Sequence, residues 1–190
     1  MAKKENPFDK LRFSRRDQDK SVDWFRNQVK TLAAGFTPER LMASRDLITS
    51  RLIPGNLYLY YYDPKHKDTL PYYDTFPLVY PYRKTTDGFM GYNLHYLPPV
   101  LRFKVMSALL NVSMSTDSDT KRLAYSYGVL NSSEVNKYFA PCIKRYLSSH
   151  VRSKFLEIPE DAWLSAALLP TERFVNGSKQ TAWKDTVKRA

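Results

Sequence analysis

Apolar residues recur every three or four positions in the first third of the chain, after a polar and charged beginning. Ser21 is placed to cap a first helix of this kind. Thr37, which precedes a proline, is placed to cap a second helix whose apolar stripe ends with Ile48 and Leu52. The spacing therefore predicts two helices within residues 21–53.

The middle of the chain, residues 54–97, replaces helical spacing with short aromatic runs. Runs at 57–62, 76–82 and 89–97 predict three strands, the last two joined by a hairpin turn that contains Gly88. Prolines in the second run favour an edge or bulged position. Because ten of the fourteen tyrosines lie here, we expect a small tyrosine-rich antiparallel sheet, either simply curved or partly closed into a barrel of SH3-like size.

Helical spacing returns after this middle segment. Prolines open predicted helices near residues 99 and 159, with another predicted around residues 117–130. Ser133 is placed to cap a long basic helix in which Pro141 introduces a kink or a break. The apolar stripe of this basic helix comprises Val135, Phe139, Ile143, Tyr146, Leu147 and Val151. A last short helical segment begins at Ser178.

The first 20 residues differ from the rest because they are basic and carry few large apolar side chains. Phe8, Leu11 and Phe13 are the exceptions. This composition predicts a basic arm that is either mobile or laid against a partner. The remainder, residues 21–190, is predicted to be one α+β domain with the sheet at 54–97 between helical segments at 21–53 and 98–190.

Composition places the chain among folded, basic proteins. It has 190 residues, of which 43% are hydrophobic and 14% aromatic, and disordered chains are poor in such residues. Thirty Lys and Arg against nineteen Asp and Glu give a net charge of +11. Charge of this size favours a negative partner, either nucleic acid or an acidic protein surface, over a merely basic domain without such a partner.

The lone cysteine, Cys142, excludes a disulfide framework and is expected to be a buried, inert thiol in a protein made in a reducing cytoplasm. No run approaches the roughly 18 apolar residues of a membrane span, so no membrane partner is expected.

Motifs for catalysis and cofactor binding are absent from the sequence. His66, His95 and His150 lie far apart without ligand-spaced neighbours, and the glycines are too scattered for a phosphate loop. We therefore expect a protein that is not an enzyme and holds no cofactor or metal. The alternative, a metal-dependent nuclease, would use acids near the tyrosine-rich strands, although acids at such turns usually bond their own backbone. These acids are Asp63, Asp68, Asp74 and Asp87.

Basic residues concentrate in the predicted long helix, where residues 137–154 contain no acid. Each Lys or Arg that neutralises a phosphate releases a counterion, so this face predicts salt-sensitive binding to nucleic acid. A solvated helix face is the alternative. The candidate nucleic-acid contacts are Lys137, Lys144, Arg145, Arg152 and Lys154, with Arg15 and Arg16 of the arm and Lys184 and Lys188 near the C-terminus.

Four tyrosines are candidates for stacking on unpaired bases or for anchoring a protein interface: Tyr60, Tyr62, Tyr72 and Tyr73. Basic side chains flank the same strands, namely Lys65, Lys67, Arg83 and Lys84. Tyrosines that alternate in a small sheet also pack in the core, and this alternative stays open.

Two blocks of the middle segment resemble virion proteins of T-even-like tailed bacteriophages. The blocks are YYDPK with LPYYDTFPLV, at 61–65 and 70–79, and DGFMGYNLHYLP, at 87–98. Further matching positions are Trp163, Leu168, Leu169, Pro170, Phe174, Trp183, Lys184 and Asp185. The resemblance covers residues 54–187 and is greatest to proteins of the DNA-end protector or head-completion type.

This resemblance implies a non-enzymatic virion component, made in the host cytoplasm, that binds the ends of packaged double-stranded DNA and shields them from exonucleases by occupying them. It also implies contacts with other virion proteins of the portal, neck or tail. Two alternatives remain: a tail, baseplate or neck assembly protein that acts through protein contacts, and a nuclease that acts on DNA ends.

Overall fold

A curved antiparallel sheet with helices packed on one side forms the fold in a computed structural model, which describes residues 7–12, 20–32, 35–114, 128 and 140–189. The helices are α1 (Val22–Leu32), α2 (Pro38–Met42), α3 (Pro99–Met114), α4 (Trp163–Ala166) and α5 (Lys179–Arg189). The strands are β1 (Ile48–Thr49), β2 (Leu57–Leu59), β3 (Tyr73–Asp74), β4 (Leu78–Lys84), β5 (Gly88–Asn93), β6 (Ile143–Leu147), β7 (Phe155–Ile158) and β8 (Phe174–Val175). Short 3-10 helices lie at Pro7–Leu11, Arg45–Leu47, Leu94–Tyr96, Ala140–Cys142, Ser148–His150 and Glu160–Ala162.

Six strands form the main sheet in the order β1-β7-β2-β4-β5-β6, and β3 pairs with β8 in a separate two-stranded sheet. Every pairing is antiparallel. β4 carries a register shift between Pro81 and Arg83, which confirms the bulge expected from the proline. The α+β prediction is confirmed, and the described sheet remains open because β1 and β6 form its edges.

The sheet is strongly curved, as the aromatic cluster on its concave face shows. The Tyr60 ring on the extension of β2 lies 5.6 Å from that of Tyr146 on β6 and 5.1 Å from that of Phe155 on β7. Because β6 and β7 are separated by three strands in the sheet, these rings meet only if the sheet curls around them. Tyr58, Tyr62 and Phe89 complete the cluster.

The opposite face of the sheet packs on the helices and forms the main core. Leu57, Leu59 and Leu78 face this side, where they join side chains from α1, α3 and α4. The 3-10 helix Pro7–Leu11 also belongs to this core, since Phe8 and Leu11 are fully buried. The prediction of an arm over residues 1–20 is therefore wrong for residues 7–12.

Several predicted helices are confirmed, and the predicted basic helix is not. α1, α3 and α5 match the expected segments, and Thr37 caps α2, with its Oγ1 accepting from the Arg40 amide at 3.4 Å. The second helix ends at Met42, however, because Ile48 pairs with β7 instead of continuing it.

The predicted basic helix is wrong in its described part, where β6, a 3-10 helix and β7 replace it. Ile143, Tyr146 and Leu147 fit helical spacing, but β-branched and aromatic residues also favour strands. Pairing of β6 with the exposed edge of β5 satisfies their backbone and decides between the two. The segment 98–190 is therefore not wholly helical. The helix predicted around 117–130, apart from Gly128, and the first part of the basic helix lie outside the described residues.

The third predicted strand is shorter than expected, because it turns into a 3-10 helix after Asn93. The Asn93 side chain caps this helix by accepting from the His95 amide at 3.0 Å. Among the described residues, no helix combines the length and apolar character needed to cross a membrane.

Candidate nucleic-acid interface

A cleft of about 850 Å³ opens beside the concave face, and tyrosines form much of its wall. We call it the tyrosine cleft and define it by Tyr62, Tyr72, Tyr73, Tyr96 and Tyr146. The predicted candidates Tyr62, Tyr72 and Tyr73 thus lie together, although they come from two separate runs of the sequence. Tyr72 and Tyr73 are half-buried, so part of each ring is accessible.

Tyr60 does not share this cleft. Its side chain is fully buried in the concave aromatic cluster, where four other rings surround it. The candidacy of Tyr60 for stacking on a base or anchoring an interface does not fit this fold, because its side chain has no exposed surface. Alternation along β2 places Tyr60 on the inner face of a curled sheet, and the curl cannot be deduced from the local sequence.

Basic side chains line the same cleft: Lys65, Lys144 and Arg145. Lys144 is on β6, opposite Gly91 of β5. Its ammonium lies 4.0 Å from the centroid of the Tyr96 ring, an arrangement in which the electron-rich face of the ring attracts the cation. A lysine seated on a tyrosine at the wall of an aromatic cleft can meet a phosphate while a base occupies the cleft.

Acids accompany two of the predicted nucleic-acid contacts. The Nη2 atom of Arg145 donates to both carboxylate oxygens of Asp87, at 2.8 and 2.7 Å, and Arg152 Nη2 lies 3.4 Å from Asp63 Oδ2. The Arg145 guanidinium lowers the pKa of Asp87, and the Lys67 ammonium, helped by Arg152, lowers that of Asp63. The predicted acid-free basic face is therefore wrong for Arg145 and Arg152, which use part of their charge within the protein.

The remaining predicted contacts are dispersed. Lys154 is exposed immediately before β7. Lys184 and Lys188 are exposed on α5, where they line a shallow depression with Pro98 that is separate from the tyrosine cleft. Lys137, Arg15 and Arg16 lie outside the described residues.

Beneath the tyrosine cleft lies a buried polar network centred on Asp74. The Asp74 Oδ2 atom lies 2.6 Å from His95 Nδ1, and His95 Nε2 lies 3.1 Å from Thr171 Oγ1. An acid, an imidazole and a hydroxyl in this order resemble a relay that activates a nucleophile. Thr171 is fully buried, however, so its hydroxyl cannot attack a substrate. The network instead joins β3 to the turns before α3 and β8.

A buried ion pair continues this network towards α5. Arg102 contacts Glu172 at 2.5 Å and donates to the carbonyl oxygens of Leu97 and His95. The Trp183 indole also donates to His95 O at 2.9 Å. Burial lowers the pKa of Arg102, whereas Arg102 lowers the pKa of Glu172 although burial opposes that shift. These contacts fix the loop that carries Tyr96, and hence one wall of the cleft.

The acids considered for a nuclease occupy separate environments. Asp63 and Asp87 pair with basic side chains, Asp74 is buried with His95, and Asp68 is exposed. In the described segments, no three His, Cys, Asp or Glu residues are grouped as metal ligands would be. Cys142 is buried as expected, and burial raises its pKa to about 12.

Sequence reasoning missed Tyr96 as a wall of the cleft because residues 93–96 were predicted to continue a strand. A local signal existed: Asn93 is a residue type that favours helix caps, and two prolines follow Leu97. Lys65 was noted only as a neighbour of the tyrosine strands.

Comparison with known protein families gives a match over most of the chain. The family described as Phage T4 terminal DNA protecting protein matches residues 12–189 of the chain. A search of the curated proteins and a search of the solved structures each returned no match. Since the family match spans far more than half of the chain, and includes every described strand and the tyrosine cleft, the chain belongs to the phage T4 terminal DNA protecting protein family.

Proposed function

We propose that this protein binds the ends of linear double-stranded DNA in the tyrosine cleft and protects them by occupancy, without cutting them. The observation that carries the proposal is the meeting of accessible tyrosines with Lys65 and Lys144 in one cleft. Membership of the family supports the role of a phage component in DNA end protection.

Aromatic side chains favour DNA ends for a physical reason. Within a duplex, both faces of every base pair are covered by neighbours, whereas the terminal pair exposes one face and frays readily. Tyrosine rings can therefore stack only on a terminal or unpaired base, at a gain of about 1–3 kcal/mol per base. Tyr72 and Tyr73 offer such rings, and a cleft of about 850 Å³ is in the size range of pockets that hold small-molecule ligands.

Cations at the cleft supply the remaining binding free energy. Lys65 is exposed and, within the described part of the chain, has no acidic partner. Lys144 is held over Tyr96 at the cleft wall. Contacts of this kind neutralise backbone phosphates without reading sequence. A sequence-independent end binder needs these two features, which are stacking and phosphate neutralisation.

Protection by occupancy requires no reaction. An exonuclease must thread the terminal nucleotide into its own active site, and a nucleotide held between tyrosines is withheld from it. The role as a virion component in contact with portal, neck or tail proteins belongs to the same proposal, because a protein that protects packaged ends acts where those ends lie.

The test compares a blunt 30-bp duplex with the same duplex closed at both ends by hairpin linkers that contain no bases. We expect tighter binding to the open duplex and slower digestion of it by a 5′-to-3′ exonuclease. Tyr73→Ala with Lys144→Ala should reduce affinity for the open duplex about tenfold or more. Lys30→Ala, which removes one exposed charge on α1, is the control and should bind almost like the unaltered protein. Equal affinity for both duplexes would exclude end recognition.

The assembly alternative has a structural observation in its favour. Val187 on α5 is 50% exposed beside Lys184 and Lys188, at the depression that includes Pro98. An exposed apolar side chain flanked by two lysines suits a protein partner with acidic residues. If the purified protein ignores linear DNA at low salt and co-purifies with head or tail parts, this alternative replaces DNA-end binding.

The nuclease alternative is tested in the same reaction mixtures. Incubation of linear duplex with the protein and either magnesium or manganese should leave the DNA intact. Metal-dependent degradation that is lost in Asp63→Asn, Asp68→Asn or Asp87→Asn would show that the protein cuts DNA.

A further inference from the structure

A second, smaller groove lies next to the tyrosine cleft and is basic without an acid in its lining. We call it the Arg51 groove and define it by Ser50, Arg51, Lys84, Gly88, Ser148 and Phe155. Ser50, Arg51, Lys84 and Ser148 are exposed. Two cations and two hydroxyl groups therefore converge on one depression of about 390 Å³.

The two cations of this groove form no ion pair within the described part of the protein. Arg145, Arg152 and Lys179 each have an acid within 4 Å, but Arg51 and Lys84 have none among the described residues. The acid closest to Lys84 along the chain, Asp87, is already bound by Arg145.

The backbone holds these side chains in place. The Arg51 amide donates to Thr49 Oγ1 at 3.0 Å, which fixes the turn after β1. Lys84 ends β4 opposite Phe89, and the Thr85 amide donates to Gly88 O at 2.9 Å, which closes the hairpin. A Cβ at Gly88 would lie 1.8 Å from Tyr146 O, so only glycine permits the floor of the groove to approach β6 so closely.

The groove continues the tyrosine cleft. Asp87 and Leu147 line the cleft, and the residues that follow them in the chain, Gly88 and Ser148, line the groove. If the end of a polyanion lies in the cleft, the chain that leads to that end therefore runs beside the groove.

We propose that the Arg51 groove is a phosphate site, in which Arg51 and Lys84 grip the DNA backbone beside the end held in the tyrosine cleft. This inference rests on the proposed function for the identity of the polyanion, but the groove itself requires only phosphate chemistry. Paired cations with hydroxyl donors are the side chains that recognise phosphate oxygens. The groove supplies affinity, and the cleft supplies the preference for ends.

The first experiment measures the salt dependence of binding. The logarithm of the binding constant for the open 30-bp duplex is followed against the logarithm of salt concentration. Arg51→Ala with Lys84→Ala should reduce the slope by about two, one for each lost phosphate contact, and should keep the ratio of open to hairpin-closed affinity. The matched control, Lys30→Ala with Lys104→Ala, removes the same charge from exposed positions on α1 and α3 and should leave the slope unchanged.

The second experiment uses inorganic pyrophosphate alone, so that it does not depend on DNA binding. Amide resonances of Gly88 and Ser148 should shift saturably in the unaltered protein and not in the Arg51→Ala, Lys84→Ala variant. Thermal unfolding of both proteins establishes that the variant is folded.

The outcomes separate this inference from the proposed function. End preference together with an unchanged slope in the groove variant overturns the phosphate site and leaves end binding intact. Absence of end preference overturns the proposed function, and the pyrophosphate experiment then tests the groove alone. Saturable shifts that are lost in the variant support the phosphate site. Absence of such shifts in the unaltered protein overturns the phosphate site.

Discussion

His95 Nδ1 lies 2.6 Å from Asp74 Oδ2, and both side chains are fully buried beneath the tyrosine cleft. The same carboxylate accepts from three further donors. Its Oδ1 atom accepts from the amides of Phe76 and Arg173, and its Oδ2 atom accepts from the Asn93 side chain at 3.4 Å. One acid thus connects β3, β5, the turn before α3 and the segment before β8.

Replacing this acid should destabilise the whole domain. Asp74→Ala leaves three buried donors and the part-buried Arg173 amide without an acceptor, so we expect a loss of about 3 kcal/mol or more in the free energy of unfolding. Urea denaturation followed by tryptophan fluorescence measures it. Asp68→Ala, an exposed acid six residues earlier, should change stability by about 0.5 kcal/mol or less. Similar stability of the two variants would show that the network does not hold the fold.

Two tyrosines of the concave aromatic cluster should respond differently to loss of their hydroxyl groups. The Tyr60 hydroxyl is buried and, in the described structure, makes no hydrogen bond of good geometry. Burial raises its pKa, and the neighbouring Tyr146 raises it further. Tyr62 Oη accepts from the Leu147 amide at 3.1 Å.

We therefore expect Tyr60→Phe to be neutral or slightly stabilising, since it removes a polar group that lacks a partner. Tyr62→Phe should cost about 1–2 kcal/mol, because the Leu147 amide loses its acceptor. Paired denaturation curves compare the two. A larger loss for Tyr60→Phe than for Tyr62→Phe would mean that the Tyr60 hydroxyl has a partner in solution.

Local patterns predicted the elements whose formation depends on their own residues. The spacing of Phe25 and Val29 is sufficient to indicate α1, and the aromatic runs indicate β2, β4 and β5. β6 was predicted as helix because Ile143, Tyr146 and Leu147 fit the helical and the strand pattern alike. Only the free edge of β5, more than fifty residues earlier, decides between them.

The candidate site was harder to predict because its chemistry depends on distant pairs. Arg145 meets Asp87 from 58 positions away, and Arg152 meets Asp63 from 89 positions away. A segment free of acids in sequence is therefore not free of acids in space. The converse holds for Arg51 and Lys84, which the fold brings into one groove although each stands in an unremarkable stretch of sequence.

Substitution of Phe8 tests whether residues 7–12 belong to the domain. Phe8 is fully buried, and its ring centroid lies 6.2 Å from that of Phe36. Phe8→Ala should cost about 3–5 kcal/mol, because it leaves a cavity in the main core. Thermal and urea unfolding measure the loss, with Lys10→Ala, at an exposed position of the same turn, as the control. Equal stability of both variants would indicate that residues 7–12 behave as the predicted basic arm and do not contribute to the core.

The buried pair of Arg102 and Glu172 should make stability depend on acid. The folded pKa of Glu172 lies below its usual value of about 4.5, so its contribution is complete above that value and is lost as the pH falls through the folded pKa. At pH 7, Glu172→Gln should cost about 3–5 kcal/mol, because Arg102 keeps a buried charge without its partner. Melting temperatures of both proteins from pH 7 to pH 3 should therefore converge as the unaltered protein loses the pair. A difference that stays constant down to pH 3 would show that the pair contributes no acid-sensitive stability. Asp46→Asn, at an exposed acid outside this network, is the control.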